Sequence, residues 1–416
     1  MRIRRCSRFI VAACVAASIG SNALAQGTAR SQDIDTSIRA AGMGGASAGV
    51  WWGEPGVWGN PATLAGVEGI GWLDGRTRLV PGLAPDVWLK SQRLLLGGAG
   101  VGVSLMGDPI KGLGRTRLDY GADGGTDPFG NPTGTFHAYE QIDAWGLGVS
   151  PLLLYDALQH ARRGGDLPPP RPIDFALGLQ HKHTVVALAP ASQLGNAEAD
   201  CIDWGASARA SLLPGNDLGT RIHLDVSAGF AMLNANDANF GFTGTGESAP
   251  PSRIRRIGFA LHAALPSPWS LEGGMPPIWL LAGEPHAIEV GLAEDTEHIN
   301  AGGHGPSFNV QRFGVEVTAF GVLTGRIGHV TDRIGEIVDN TYGFGVRLPI
   351  GPWASVAYDR ASVPQANDSG LPRVTRQGWS AWIDPAHMWA DRRAAHRSAQ
   401  ASASHDGGRV AAFSPR

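Results

Sequence analysis

Apolar and polar residues alternate along most of the chain. In the stretch 221–230, Ile222, Leu224, Val226 and Phe230 fall on one side of the pattern, and polar residues or glycine fall mostly on the other. A period of two residues is that of a β-strand, because successive side chains point to opposite faces of a sheet. The same pattern, followed less strictly, predicts strands at 69–78, 99–106, 144–150, 173–181, 202–212, 254–265, 285–292, 310–320, 341–348, 353–361 and 375–383.

Four weaker candidates bring the expected total to about fourteen to sixteen strands, separated by clusters of Gly, Pro, Asn and Asp. These candidates lie at 86–92, 183–189, 276–282 and 323–330. A striped sheet of this size must either pack face to face with another sheet or close on itself. The apolar stripe faces inward in a soluble sandwich and outward in a membrane barrel, so the alternation alone is compatible with both.

Three features favour the membrane barrel. The predicted strands are about 8–12 residues long, which is the length of a tilted membrane strand. One stripe is often Gly, Ser, Ala or Arg, which suits a semi-polar lumen. Several tryptophans lie near predicted strand ends, as in the aromatic girdles of membrane proteins. These are Trp72, Trp145, Trp204, Trp353, Trp379 and Trp382. A soluble secreted β-protein with tryptophan in its core remains the competing interpretation.

Composition narrows the function classes. Glycine is abundant, at 59 of 416 residues, and charged residues make up only 17%. The formal net charge of -3 gives no electrostatic footprint for nucleic acid, so we expect no nucleic-acid partner. Beyond the first 25 residues, no stretch approaches the roughly 18 consecutive apolar residues of a membrane-spanning helix.

The first 25 residues have the three-part organisation of a secretory signal. A positive region is followed by an apolar run and a small-residue cleavage site, which are Arg2, Arg4, Arg5 and Arg8, then 9–19, then Ala23, Leu24 and Ala25. We therefore expect the protein to be exported. Cleavage would remove Cys6 and Cys14 and leave Cys201 alone, which excludes an internal disulfide and a cysteine-based metal site in the exported chain.

Two blocks near the N-terminus carry a more specific pattern. Residues 38–48 read IRAAGMGGASA, and residues 60–65 read NPATLA, with Pro55 to Trp58 between them. Near the C-terminus, segments 326–330, 341–346 and 357–360 read RIGHV, TYGFGV and AYDR. Together these segments, in this order, resemble the outer-membrane FadL/PorV family, and the C-terminal ones resemble its PorV-type branch. The matching segments cover about a fifth of the chain at its two ends.

This resemblance implies an all-β fold, a transmembrane antiparallel β-barrel of about fourteen strands, with an N-terminal hatch segment in the lumen. By the same resemblance, Gly42, Gly44, Gly45, Asn60 and Pro61 would hold the hatch. In physical terms, the glycines allow close packing, and Pro61 can start a short helix with Asn60 as its N-cap. The alternative is that these residues only shape a turn before the first strand.

The expected organisation is a signal peptide at 1–25, a hatch at 26–68, the barrel at 69–384 and a polar, disordered tail at 385–416. Two points depart from the family pattern. Residues 51–54 read WWGE where the family commonly has Asp. The best terminal strand, at 376–383, is followed by the tail, whereas barrel chains usually end on their last strand. Two long connections are also expected, a surface loop at 107–142 and a polyproline-type spacer at 157–172.

The sequence offers little support for catalysis. It contains no HExxH and no phosphate-binding GxxxxGK[ST], and its one GxSxG spacing, at 45–49, overlaps the glycine-rich N-terminal block described above. We expect no enzyme, no catalytic residue, no cofactor and no metal. His181 and His183 could share one strand face as metal ligands, but a solvated strand end is the better account. The acidic and amide clusters at 294–304 and 234–239 are better explained as solvated turns between strands than as metal sites.

The function expected from the resemblance is that of a barrel in the bacterial outer membrane that binds or passes hydrophobic small molecules or lipid. Molecules would enter past extracellular loops, meet the hatch in the lumen, and leave through a lateral opening in the wall. The alternative within the same fold is a PorV-like, non-transporting barrel that acts with secretion-machinery proteins in secretion or surface attachment. A second alternative is a soluble secreted β-protein with a binding surface.

Overall fold

The computed structural model describes residues 29–54, 56, 58–84, 86–107, 115–126, 132–163, 171–188, 195–213, 222–243, 246, 248–266, 286–300, 307–350, 353–367 and 369–385. The predicted signal peptide at 1–25, the predicted strand at 276–282 and all but the first residue of the predicted tail lie outside these residues.

Strands dominate the described chain. They are β1 (Gly69–Arg78), β2 (Trp88–Gly98), β3 (Val101–Met106), β4 (Thr116–Thr126), β5 (Pro132–Val149), β6 (Ile173–Ala187), β7 (Ala197–Leu213), β8 (His223–Leu233), β9 (Phe240–Phe242), β10 (Ser248–Ala249), β11 (Arg253–Pro266), β12 (His286–Asn300), β13 (Ser307–Ala319), β14 (Leu323–Asp332), β15 (Ile337–Pro349), β16 (Ala354–Val363) and β17 (Val374–Ile383). The helices are α1 (Ile38–Gly42), α2 (Pro151–Arg163) and two 3₁₀ helices, Arg30–Asp33 and Pro61–Gly66.

The strands form a closed barrel. Each wall strand pairs antiparallel with its neighbours, and β1 pairs with both β2 and β17, which closes the ring. Strands β3 and β4 share one position in the wall, and the short β9–β10 hairpin lies beside β7. The wall therefore has fourteen positions, and the predicted fourteen-stranded antiparallel barrel is confirmed. We call the end that holds Gly69 and Ile383 the terminal end, and the opposite end the distal end.

One wall position is divided between two strands. Leu94–Gly98 of β2 pair with β3, whereas Trp88–Lys90 of the same strand pair with β4. Strand β5 pairs with both, at Ala144–Val149 and at 132–142. The prediction of a surface loop over 107–142 is therefore wrong for β4 and β5. Glycine and aspartate suggested a loop there, but both residue types take part in the wall ladder.

A helix replaces most of the predicted spacer. Helix α2 begins at Pro151, and Ser150 caps it, because the Ser150 hydroxyl accepts from the Leu153 backbone N–H at 3.2 Å. The polyproline prediction for 157–172 is thus wrong up to Arg163, and its three consecutive prolines lie outside the described residues. The separate strand predicted at 183–189 is also wrong, since β6 continues through those positions to Ala187.

The outward face of the barrel carries a belt of large apolar side chains. On β7 the outward positions run from Ile202 to Leu212, a distance of about 33 Å along the strand and about 25 Å across a membrane at the usual tilt. At the distal edge of the belt, outward aromatic residues are followed by outward amides. Asn340 follows Tyr342 toward the distal end of β15, and Gln377 follows Trp379 toward the distal end of β17. Aromatic residues at such a boundary are typical of a membrane interface.

The interior is polar. The buried inward-facing side chains of the wall include Arg93, Glu140, Asp174, Lys182, Asp203, Arg256, Asp295, Glu297 and Glu316. An apolar exterior around a charged interior is the reverse of a soluble sandwich and is the arrangement expected of a membrane barrel. Of the predicted girdle tryptophans, Trp382 differs, because it packs inside against the cluster of Leu64, Val67 and Leu95. The described helices include none long and apolar enough to cross a membrane.

Candidate functional site

The chain before β1 lies inside the barrel. We call its described part within 29–68 the luminal segment. The second 3₁₀ helix contacts β2, β3, β5, β6 and β7, and α1 contacts β14 to β17 on the other side of the ring. Most residues of the segment are buried, including Met43, Ala48 and Leu64. The luminal segment therefore occupies the lumen and touches most of the wall.

A row of wall glycines makes room for the second 3₁₀ helix. On five adjacent strands, one glycine lies directly opposite the next, and the row is Gly97, Gly102, Gly148, Gly178 and Gly205. A Cβ atom on Gly148 would lie 2.6 Å from the Ala65 backbone nitrogen, and one on Gly178 would overlap the Pro61 carbonyl carbon. Only glycine permits this approach of two backbones.

The opposite side of the ring repeats the arrangement. Gly314 and Gly328 face each other across β13 and β14, and added Cβ atoms there would meet Met43 and Gly44 of the luminal segment. Gly229 and Gly258 do the same across β8 and β11, where the segment passes at Ala48 and Gly49. The backbone of the luminal segment is thus docked on wall glycines on both sides of the lumen.

The three glycines predicted from the resemblance lie together at this contact. The Gly42 carbonyl accepts from the Thr341 hydroxyl at 3.0 Å, and the Gly44 N–H donates to the Thr341 hydroxyl oxygen at 2.9 Å. Gly44 and Gly45 have φ values of 70° and 87°, which side-chain-bearing residues rarely adopt. An added Cβ on Gly45 would lie 2.7 Å from the Arg312 guanidinium. That these glycines hold a hatch stays a prediction.

Asn60 and Pro61 lie across the lumen from those glycines. Asn60 precedes the second 3₁₀ helix, and its side-chain oxygen accepts from the Ala62 N–H at 3.0 Å. The Asn60 amide group also donates to the carbonyls of Ala48, at 2.8 Å, and Ala206, at 3.2 Å. Asn60 therefore links the helix start, another part of the luminal segment and wall strand β7.

A buried ion-pair chain joins the luminal segment to the wall. Arg39 of α1 donates two hydrogen bonds to Glu316, at 2.7 and 2.8 Å. Arg326 donates to Glu316 at 2.6 Å and continues to Asp359 on β16. Trp52 adds an indole N–H bond to Glu316 at 3.2 Å. One wall carboxylate thus receives donors from two parts of the luminal segment.

A second charged cluster lies farther around the ring. Asp295 accepts from the backbone N–H groups of Ser47, at 2.7 Å, and Ala48, at 2.9 Å. Arg256 pairs with Glu297 and approaches Asp35 of the luminal segment at 3.8 Å. These contacts satisfy charges that would be costly to leave unpaired in the interior.

Glu54 lies between two cavities in the lumen. The cavities have volumes of about 160 Å³ and about 30 Å³, and both are also lined by Asp359. Burial, together with the negative charge of Asp359, raises the pKa of Glu54 to about 7, although Arg93 and Arg39 oppose the shift. Beside Glu54 in the chain, the Trp52 ring stacks on His262 with centroids 4.9 Å apart. The terminal side of the lumen is therefore polar and titratable near neutral pH.

An apolar cluster lies at the divided wall position. Trp58 of the luminal segment packs with Met106, Ile142 and Ala144. Met106 is the last residue of β3, and Ile142 and Ala144 are where β5 changes from pairing with β4 to pairing with β3. The Arg93 guanidinium lies 5.4 Å from the Trp58 ring centroid. This cluster is a buried apolar contact between the luminal segment and the wall, in a lumen that elsewhere carries many charges.

The prediction of a turn at 294–304 is wrong up to Asn300, because β12 continues through those positions, and 301–304 lie outside the described residues. The histidine and asparagine candidates are engaged by protein groups. His181 and His183 both approach Asp200, at 3.4 and 3.0 Å, on the outward face of β6 and β7. Asn234 accepts from the Lys182 ammonium at 2.7 Å, and Asn236 accepts from the Ile202 N–H at 2.9 Å. Within the described residues, no group of three or more His, Cys, Asp or Glu side chains is arranged to hold a metal ion.

Comparison with known proteins gives structural similarities alone. No protein-family model matches the chain, and no curated protein matches it. The toluene transporter TbuX of Ralstonia pickettii is 11% identical, with a TM-score of 0.42 over 83% of this chain and 96% of that one. The toluene transporter TodX of Pseudomonas putida is 13% identical, with a TM-score of 0.38 over 82% and 95%. A Pseudomonas aeruginosa FadL homologue is 12% identical, with a TM-score of 0.34 over 84% and 98%. At these values the similarity does not define a family for this chain.

Proposed function

We propose that this protein is a bacterial outer-membrane β-barrel that binds or passes hydrophobic small molecules. The observation that carries the proposal is the apolar cluster of Trp58, Met106, Ile142 and Ala144 at the divided wall position. These four side chains are buried against one another, so in this proposal a hydrophobic molecule takes the place of Trp58 on the wall and gains free energy by that contact.

In this proposal, the charges in the lumen determine the route by which the hydrophobic molecule leaves the barrel. Beyond the luminal segment, the terminal side of the lumen is lined by charged groups that include Arg39, Glu316 and Arg326. An apolar molecule that moved there would have to displace water from charged groups without replacing their hydrogen bonds. We therefore propose that it leaves sideways into the membrane, at the wall position shared by β3 and β4.

The same cluster provides the test. Met106→Glu introduces a carboxylate there, and Val310→Glu makes the matched change at a buried inward position of β13. Uptake of a radiolabelled long-chain fatty acid and of a labelled monoaromatic would be measured in cells that carry each variant and lack their own channel for these compounds. We expect Met106→Glu to reduce uptake to the level of cells without the barrel, and Val310→Glu to retain it. Gel mobility before and after boiling would confirm that each variant folds as a barrel.

The PorV-like role in secretion or surface attachment is the second candidate. The observation that favours it is the close docking of the luminal segment on wall glycines such as Gly102 and Gly178, which suits a barrel that stays closed. This role predicts that secretion-machinery proteins co-purify with the detergent-extracted barrel and that Met106→Glu leaves their recovery unchanged. Wild-type cells that take up neither labelled compound, while a partner protein co-purifies, would contradict transport and support this role.

A further inference from the structure

Helix α2 turns a face with two large apolar side chains away from the barrel. Tyr155 and Leu158 are 54% and 49% exposed, and at 100° per residue they share a face with Pro151 and Arg162. The opposite face contacts the turn between β2 and β3, where a Cβ on Gly100 would lie 2.5 Å from the Leu153 Cβ atom. A helix beside water usually carries polar side chains on its outward face.

Arg171 places this helix on the outer side of the rim. Residues 171, 173, 175, 177 and 179 share one face, because the β6–β7 ladder continues to Pro172, whose carbonyl accepts from the Ser211 N–H at 2.7 Å. Three of these positions, Ile173, Phe175 and Leu177, belong to the outward apolar belt.

The Arg171 guanidinium holds the first two turns of α2 against that outward face. It donates to both carboxylate oxygens of Asp156, at 2.6 and 2.7 Å, and lies 6.0 Å from the Tyr155 ring centroid. Helix α2 is therefore next to the terminal edge of the apolar belt, where Ile173 is 62% exposed.

We propose that α2 is an interfacial helix that binds the surface of the membrane leaflet at the terminal end of the barrel. Its Tyr155 and Leu158 face continues the apolar belt into the boundary between headgroups and acyl chains. Arg162, at the end of the same face, lies at the level of the anionic lipid phosphates. The bound surface is lipid, and this inference rests on the membrane insertion of the barrel in the proposed function.

The test is the depth of labelled cysteines in lipid vesicles. Leu158→Cys would carry an environment-sensitive fluorophore in the full chain, reconstituted with phospholipids that bear a nitroxide near the headgroup. Leu177→Cys, in the apolar belt, reports insertion of the barrel, and Ser369→Cys, in an exposed distal turn, reports water. Native Cys201 is buried, and unmutated protein gives the background labelling.

We expect the headgroup nitroxide to quench the label at Leu158→Cys more strongly than the deeper label at Leu177→Cys, while aqueous iodide quenches Leu158→Cys far less than Ser369→Cys. Quenching of Leu158→Cys by iodide alone would overturn the proposal, and protection from both quenchers would assign the face to a protein contact instead. Loss of lipid quenching at Leu177→Cys as well would mean that the barrel itself is not inserted, which separates failure of the proposed function from failure of this inference.

The charge at the helix end gives an independent measurement. Arg162→Glu reverses the charge on the exposed face, whereas Arg333→Glu makes the same change in an exposed turn at the distal end. We expect lipid quenching at Leu158→Cys to increase when anionic lipid is added to the vesicles, and this increase to disappear with Arg162→Glu only. An increase that survives Arg162→Glu would contradict the role of this arginine in lipid binding.

Discussion

At the scale of single residues, buried ion pairs join the luminal segment to the wall. Arg39 and Glu316 are each buried and joined by two hydrogen bonds, and Arg326 approaches the same carboxylate from β14. Such pairs add little net stability over apolar residues, but removal of one partner leaves a buried charge. Their main effect is therefore to specify one position for the luminal segment.

Arg39→Ala tests this specificity. We expect a loss of about 3 kcal/mol in the free energy of unfolding, because Glu316 keeps only part of its pairing. The measurement is urea unfolding in detergent micelles, followed by tryptophan fluorescence. Arg253→Ala is the matched control, since Arg253 pairs with the fully exposed Asp237 and its loss should cost less than about 1 kcal/mol. Equal losses in the two variants would contradict a specifying role for Arg39.

Glu54 makes the stability of the luminal segment depend on pH. Its pKa rises from 4.5 in the unfolded chain to about 7, so the folded protein binds more protons between those values. Stability should therefore fall as pH rises through this window. We expect Glu54→Gln to unfold at higher urea than wild type at pH 8 and at nearly the same urea at pH 5. Glu198→Gln, at an exposed position, should leave the pH profile unchanged, and an unchanged profile in Glu54→Gln would refute the assignment.

At the scale of elements, the row of wall glycines fits the second 3₁₀ helix. Gly178→Ala would push a methyl group into the Pro61 backbone, and overpacking of this kind costs about 1–3 kcal/mol. We expect the gel mobility of Gly178→Ala to shift at a lower heating temperature than that of the wild-type protein. Gly325→Ala is the control, because Gly325 has no atom within 4 Å of an added Cβ, so its shift should occur at the wild-type temperature.

The elements also show how far the sequence predicts the structure. Alternation located β1, β11 and β17 to within about a residue, because apolar and polar positions alternate between the two faces of the barrel wall. It missed β4, whose glycines and aspartates resemble a loop, and it missed α2. The Ser150–Pro151 helix start was visible in the sequence, but the prolines after Arg163 outweighed it.

For the candidate site, the family resemblance pointed to one side of the contact between luminal segment and wall. It singled out Gly42, Gly44, Gly45, Asn60 and Pro61, and their role in holding a hatch stays a prediction. Their partners could not be found in this way. The wall glycines are spread over many strands, and the pairing of Arg39 with Glu316 depends on the barrel bringing residues 277 positions apart together.

The outward belt is itself an element whose position can be measured. Leu177→Arg puts a charge in the middle of the belt on β6, which costs about 2–4 kcal/mol at the membrane midplane. Thr296→Arg makes a comparable change on the polar distal part of β12, where the cost should be close to zero. Urea unfolding of the two variants in phospholipid vesicles would measure the difference. Similar costs at both positions would contradict a belt at this height.

At the scale of the whole molecule, the barrel is closed twice, once by the β1–β17 ladder around its wall and once by the luminal segment across its lumen. A closed wall should resist SDS until boiled, because its backbone hydrogen bonds are internal. The luminal segment contributes no strand to that ladder. Removal of the luminal segment should therefore open the lumen and leave the wall closed.

A variant that lacks residues 34–66 tests this separation. It keeps all seventeen strands, and the wall groups that contacted the segment, such as Glu316 and Asp295, would face an open lumen and take up water. We expect the variant to retain a heat-dependent mobility shift and to conduct ions steadily in planar lipid bilayers, whereas the wild-type protein does not. Arg39→Ala should give brief openings, because it weakens the contact without removing the segment. A deletion variant whose gel mobility still shifts on boiling but which conducts no ions would show that something other than the luminal segment closes the barrel.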